Sequence, residues 1–242
     1  MKKKIIILIP ARLASTRLPN KPLAMIDGKT MIHRVYEQAL KANLGEVLIA
    51  TDGAEIGNEV KNFGGKYILT NPDLQSGTDR IYSAYKLLKE DFDIIVNVQG
   101  DLPNIDPKVI IECTNLALES DCDIATVASK ITDISEINNP NVVKIALAQN
   151  GLALYFSRSA IPFSKNITDD YFHHIGIYAY KKNALEKFVN LTPSPLEKRE
   201  SLEQLRALEN GMKIAVKIVD AHPLSVDTQE DLDKVINLIK SK

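Results

Sequence analysis

The sequence holds only two cysteines in 242 residues, Cys113 and Cys122, and their spacing fits neither a CxxC pair nor a zinc knuckle. Two reduced thiols in a cytoplasmic protein are the expectation. Histidine is scarce as well: His33, His173, His174 and His222 are the full set, and the adjacent pair cannot imitate an HExxH helix. A zinc site is not expected. Neither sign of charge is in excess, since 30 basic residues face 31 acidic ones for a formal charge of −1. Bulk electrostatics therefore calls for neither a nucleic acid nor an anionic membrane surface, and any phosphate recognition must be local. No apolar run is long enough to span a membrane: Ile5 to Ile9 is followed at once by Pro10 and Arg12, without a signal-cleavage pattern. Low-complexity tracts, internal repeats and a Ser/Gly/Pro-rich linker are also missing, so one continuous unit over 1–242 is expected.

What is present is a 45% hydrophobic chain, long enough to bury roughly 70% of its extended surface. Residues 4–9, KIIILI, form a continuous apolar, β-branched run that suits a parallel strand covered on both faces. A loop with three prolines and three basic residues follows, and Met31, Ile32, Val35 and Ala39 then recur at helical spacing. The strand, loop and helix unit repeats. EVLIAT at 46–51, KYILT at 66–70 and DIIVNVQG at 93–100 read as strands; helices are predicted over 54–62 and 79–89 and from Pro107. Such alternation predicts an open, mostly parallel sheet with helices on both faces, which collects ligands beyond the carboxyl ends of its strands. Beyond Asp123 the pattern loosens into short strands at 124–128, 142–147 and 175–180, suggesting a lobe with antiparallel pairing. One helix is predicted over 196–209, stopped by Asn210-Gly211, then a strand at 213–219 and a last helix at 229–239.

Several clusters carry chemistry. Arg12, Arg17 and Lys21 follow the first strand closely enough to converge on one anion, though a solvated basic loop has the same spacing. GKT at 28–30 lacks the first glycine of a phosphate loop, and Gly64-Gly65 lacks the spaced glycines of a dinucleotide fingerprint; both read as turns. Ser76-Gly77-Thr78-Asp79-Arg80 opens a helix whose amides suit a phosphate or base edge, with Arg80 bracing the loop; it reads equally as a plain cap. Gln99-Gly100-Asp101 ends a buried strand, where an aspartate can ligate Mg²⁺. Asp227, in SVDT, reads equally as a helix cap. HIGIYAY at 174–180 alternates like a strand with one lined face, and Glu203 and Gln204 offer a carboxylate and an amide, or a solvated helix face.

Taken together, IPARLASTRLPNKPLAMIDGKTMI, SGTDR, VNVQGD, NPNVVK, LYFSRSAIP, HIGIYAY, SPLEKRESLEQLRALENG and SVDTQEDL resemble, in order and over nearly the whole chain, the 3-deoxy-manno-octulosonate (KDO) cytidylyltransferase family. The resemblance implies a nucleotidyltransferase-like α/β fold with a smaller mixed dimerisation lobe within about 125–190. It implies a homodimer in the cytoplasm that uses CTP, KDO and Mg²⁺ for lipopolysaccharide biosynthesis, with no nucleic acid and no stable membrane insertion. By residue, it implies nucleotide contacts at Ala11, Arg12, Lys21, Ser76, Gly77 and Arg80, and a sugar pocket of Gln99, Arg158, His174, Tyr178, Glu203 and Gln204. Asp101 and Asp227 match the magnesium ligands, and with Arg12 and Lys21 they make the catalytic set. Three positions depart from the family's pattern: Leu102 stands where a glutamate is usual, His173 where an arginine is common, and Ser225 where glycine is frequent. A cytidylyltransferase for a related keto-sugar acid, or a catalytically silent CTP-binding regulatory dimer, are the alternative readings.

Overall fold

The computed structural model describes residues 3–15, 17–165 and 170–241. In chain order the strands are β1 (Ile5–Ala11), β2 (Met25–Ile26), β3 (Lys29–Thr30), β4 (Glu46–Thr51), β5 (Tyr67–Leu69), β6 (Ile94–Asn97), β7 (Ile124–Lys130), β8 (Lys144–Leu147), β9 (Ala153–Ser157), β10 (Phe172–Lys181) and β11 (Ile214–Ile218). The α-helices are α1 (Met31–Lys41), α2 (Ala54–Asn62), α3 (Gly77–Leu87), α4 (Pro107–Glu119), α5 (Lys182–Val189), α6 (Pro195–Glu200), α7 (Leu205–Glu209) and α8 (Gln229–Lys240). These elements fall into two compact units, one of residues 1–111 and 223–242, the other of residues 112–222.

In the first unit β1 pairs in parallel with β4 on one side and β6 on the other, and β4 pairs in parallel with β5. The order β6-β1-β4-β5 follows from sequence chemistry. Ile6, Ile7, Leu8 and Ile9 are fully buried, as an unbroken apolar strand covered on both faces must be, each side chain contributing roughly 1.5–3 kcal/mol. Because the chain runs outward from β1 to β4 and β5 and then returns to β1's other side as β6, the order reverses between β1 and β6. Their carboxyl ends form the switch point where open α/β sheets hold ligands.

Local signals set the helix starts. Thr30 and Ser76 cap α1 and α3 by accepting from the amides of His33 and Asp79. That cap places the start of α3 at Gly77, two residues ahead of the predicted boundary. Gly28 has φ 77 in the turn between β2 and β3, so GKT is a turn as expected. The closing segment returns to this unit through an apolar cluster in which Val226, Leu232 and Val235 pack with Leu18, Ile26 and Met31.

In the second unit β7 pairs in parallel with β11 and antiparallel with β10, while β8 joins β10 and β9, both antiparallel. Strand β9 and helix α5 were not anticipated from sequence. Residues 125–190 fall inside this unit. The single helix predicted over 196–209 is two short ones. Ser201 takes a left-handed φ of 53, and the chain turns through Leu202–Gln204 before α7. Across that break Arg206 grips Glu197 with two hydrogen bonds, Nε to Oε2 at 2.8 Å and Nη2 to Oε1 at 2.6 Å. Both side chains are largely buried, so the pair stabilises the turned arrangement against a straight helix.

Replacing Glu197 with Gln leaves the Arg206 guanidinium buried without its counter-charge. A loss on the order of 3 kcal/mol is expected in urea unfolding, against under about 1 kcal/mol for Glu186→Gln on the exposed side of α5.

Candidate active site

At the carboxyl ends of β1 and β6 lies a cleft of about 300 Å³, within the range of small-molecule sites. Pro10, Ala11, Arg12, Lys21, Ser76, Gly77, Arg80, Gln99, Asp101 and Asp227 are among its lining residues. Every nucleotide-side and metal-side residue expected from sequence is therefore in one place, within the first unit. Close packing shapes its floor. A Cβ on Gly100 would stand 2.7 Å from the Pro10 carbonyl oxygen, so only glycine lets the β6 loop lie against the end of β1. A Cβ on Gly77 would meet the Pro10 ring at 3.3 Å, which brings the start of α3 to the same edge.

Lys21 is the centre of the charge arrangement. Its Nζ donates to Asp101 Oδ2 at 2.9 Å and Asp227 Oδ1 at 3.0 Å, while Arg17 Nη2 reaches the same Asp227 oxygen at 3.1 Å. Burial alone would depress the Lys21 ammonium, but Asp101 and then Asp227 outweigh it and hold the group above its ordinary value. The two aspartates, far apart in sequence, are joined at the main chain by a bond from the Val226 amide to the Asp101 carbonyl at 3.0 Å. Helix capping does not occupy Asp227. Thr228 is the cap of α8, its hydroxyl accepting from the Asp231 amide and the Asp231 carboxylate accepting from the Thr228 amide in return. The carboxylate of Asp227 is thereby left to face the cleft.

Arg80 acts as the brace that the sequence suggested. It is almost wholly buried, and donates to Thr70 Oγ1 at 2.7 Å and Asp52 Oδ2 at 2.8 Å. Burial pulls its guanidinium below the ordinary value, Asp52 opposes that pull, and the nearby Arg12 charge adds to it. Asp52 and Gln75 were missed as site residues, while Arg17, grouped from sequence with Arg12 and Lys21, pairs with Asp227. The usable signal for Asp52 was its place directly after β4, a charged residue at a strand's carboxyl end; for Gln75 it was its place beside SGTDR.

Of the expected sugar residues Gln99 lies in this cleft, and the other five belong to the second unit. There His174 and Tyr178 on β10 have ring centroids 5.5 Å apart, and Phe156 meets His174 edge-on at 4.9 Å. Thr126 Oγ1 directs its hydrogen to the Ile177 carbonyl at 2.7 Å, so it accepts from His174 Nε2 at 3.0 Å and sets that tautomer. Glu203 is close enough to raise the Tyr178 hydroxyl further above the value to which burial already lifts it. Glu203 and Gln204 are not on a solvated helix face but in the turn before α7, where Gln204 is buried. Arg158 belongs to a different network, its guanidinium donating to the carbonyls of Glu200, Pro140 and Ser201. Of the departures from the family's pattern, Leu102 is buried, and so is much of His173.

Burial depresses both neighbouring histidines. His173 falls to about 4, with the His222 and Lys144 charges adding, and His174 to about 3, with His173 adding. Folded-state values below the ordinary 6.5 mean that the unfolded chain binds more protons between them. Their contribution is complete above pH 6.5 and is lost as pH falls towards 4 and then 3. Stability should therefore drop between pH 6.5 and 4, and His173→Gln should flatten that slope by up to about 1.4 kcal/mol per pH unit in urea titrations at stepped pH.

The chain matches the family described as Cytidylyltransferase over residues 6–214. It is similar to the 3-deoxy-manno-octulosonate cytidylyltransferase of Bartonella tribocorum, with 51% identity over 97% of this chain and 98% of that protein. The enzyme of the same name from Brucella suis is 53% identical over 96% of this chain and 94% of that protein. Among solved structures, one of CMP:2-keto-3-deoxy-manno-octonic acid synthetase complexed with CTP superposes with a TM-score of 0.92 at 41% identity, covering 98% of this chain and 99% of that one.

Proposed function

The chain belongs to the cytidylyltransferase family, and from that premise we propose that it transfers CMP from CTP to 3-deoxy-D-manno-octulosonate, releasing pyrophosphate. The observation that carries this reading is the full-length likeness, at half identity, to enzymes of that name. The cleft supports it, because the transfer asks for charge stabilisation and positioning rather than covalent catalysis, and the groups that do this converge there.

Arg12 and Lys21 hold the triphosphate and stabilise charge on the departing pyrophosphate. The amides of Ser76 and Gly77, at the positive end of α3, receive the nucleotide side, and the Arg80–Asp52 pair keeps that turn in place. Asp101 and Asp227 offer two hard carboxylate donors, the class magnesium takes when phosphate and water complete its shell, and these residues would hold Mg²⁺. When bound, the ion supplies charge neutralisation at the phosphoryl oxygens and acidifies the sugar hydroxyl that attacks the α-phosphorus. Gln99, Arg158, His174, Tyr178, Glu203 and Gln204 are the residues the family likeness assigns to the sugar, with neutral His174 as a hydrogen-bonding and packing group.

The protein acts in the cytoplasm as a homodimer, in lipopolysaccharide assembly. Its two buried cysteines, both free thiols, suit a reducing compartment. No helix among the described residues is long and apolar enough to cross a membrane.

Purified protein given CTP and Mg²⁺ with a panel of keto-sugar acids should release pyrophosphate fastest with 3-deoxy-D-manno-octulosonate, product mass confirming the CMP adduct. Related amino-substituted octulosonates and sialic acids belong in the panel because Leu102 and His173 depart from the family's pattern. Asp101→Asn and Asp227→Asn should each reduce turnover by at least about 100-fold while unfolding within about 3 °C of the parent. Faster release with another acid would reassign the substrate, CTP binding without turnover on any acid would reject the enzyme, and near-parent rates in either variant would remove that ligand.

A further inference from the structure

The carboxylates of Asp101 and Asp227 have a resident competitor. Lys21 Nζ stands between them, 2.9 Å and 3.0 Å from one oxygen of each, with its side chain only 17% exposed. Magnesium sits at about 2.1 Å from carboxylate oxygens, so an ion held by these same two oxygens would crowd the ammonium out. The two cannot coexist there. The cluster is also electrically closed, because the positive charges of Lys21 and Arg17 equal the two negative ones of Asp101 and Asp227. A dication added alone would leave an excess of two positive charges in a confined cleft.

Lys21 is the member able to move. The aspartates stand on backbone joined by the Val226–Asp101 hydrogen bond, whereas the lysine reaches them on a flexible four-carbon stem from the single turn Lys21–Leu23. Arg17 is the weaker competitor, since it is 61% exposed and reaches one of the two aspartates, Asp227, at 3.1 Å.

We propose that Lys21 is an exchangeable counter-cation of the metal site: the divalent ion enters only when a triphosphate gives the displaced ammonium a new anionic partner. Cation and nucleotide then load as one event, and the protein binds free Mg²⁺ poorly even though its two ligands are already aligned. This inference rests on the assignment of Asp101 and Asp227 as the metal's ligands. The rival account is that Lys21 is a permanent staple of the fold.

The experiment uses Mn²⁺ as the probe, its free concentration followed by electron paramagnetic resonance, on the full chain without nucleotide. Lys21→Met should bind Mn²⁺ at least about 10-fold more tightly than the parent. Arg17→Met/Lys21→Met should do so at least equally, which covers the case of Arg17 moving into the vacated position. In thermal unfolding, 5 mM Mg²⁺ should raise the midpoint of Lys21→Met by about 3 °C or more and move the parent by less than about 1 °C. Equal Mn²⁺ affinity in the parent and both variants overturns the proposal, as does a destabilised Lys21→Met that Mg²⁺ does not restore. The ligand assignment is read separately, by adding Asp101→Asn or Asp227→Asn to Lys21→Met. Retention of the gained affinity places the ion elsewhere and sinks both the assignment and the competition. If Mn²⁺ binding with CTP to the parent requires both aspartates while Lys21→Met shows no gain, the ligands stand and the competition alone falls.

Discussion

Two carboxylates facing one another in a cleft repel, and the first unit resolves that repulsion by placing one ammonium between them. The Lys21 contacts to Asp101 and Asp227 unite three segments that are remote in sequence: the loop after β1, the loop after β6, and the stretch before α8. Much of the surrounding architecture serves to bring those segments together. The parallel order β6-β1-β4-β5 puts the first two loops at one switch point, and the Val226 cluster with Leu18, Ile26 and Met31 delivers the third.

A division of labour among polar groups keeps the reactive side chains available. Thr228 and Asp231 satisfy the start of α8, so Asp227 need not. Ser76 caps α3 by accepting from the Asp79 amide, and Ser76 and Gly77 line the cleft at the helix start. Asp52 and Thr70 hold Arg80, a buried cation that would otherwise destabilise the loop it supports. Glycine contributes by absence: at position 100 any side chain would drive the β6 loop off the Pro10 carbonyl.

The second unit holds its polar groups by a different principle, burial with local neutrality. His174 is kept uncharged in a cage of aromatic rings and the Thr126 hydroxyl, and the Arg206–Glu197 pair cancels its own charge where the chain turns between α6 and α7. That turn brings Glu203 near Tyr178.

Much of the architecture was legible from local pattern. Strand β4 and helix α2 coincide with their predicted bounds, and β1, α1, β6, the start of α4, β11 and α8 were placed within a few residues, because apolar periodicity and caps are written in neighbouring residues. The break at Ser201, the strand β9 and the helix α5 were not legible. Leu196–Glu209 has good helix-forming composition throughout, and only the Arg206–Glu197 contact and the left-handed Ser201 reveal that tertiary packing overrides it. At the site, the motifs named Arg12, Lys21, Asp101 and Asp227, and strand ends indicated where each would lie. Spacing alone left Asp227 equally a cap. It was the three-dimensional pairing of Thr228 with Asp231 that released its carboxylate, and the Val226 cluster with the Val226–Asp101 bond that set it against Asp101 with Lys21 between them. Residue type and local period determine what each segment can offer; which offers meet depends on contacts between segments far apart in the chain, and only tertiary packing, of the sheet and of the apolar cluster beside it, brings those within hydrogen-bonding distance.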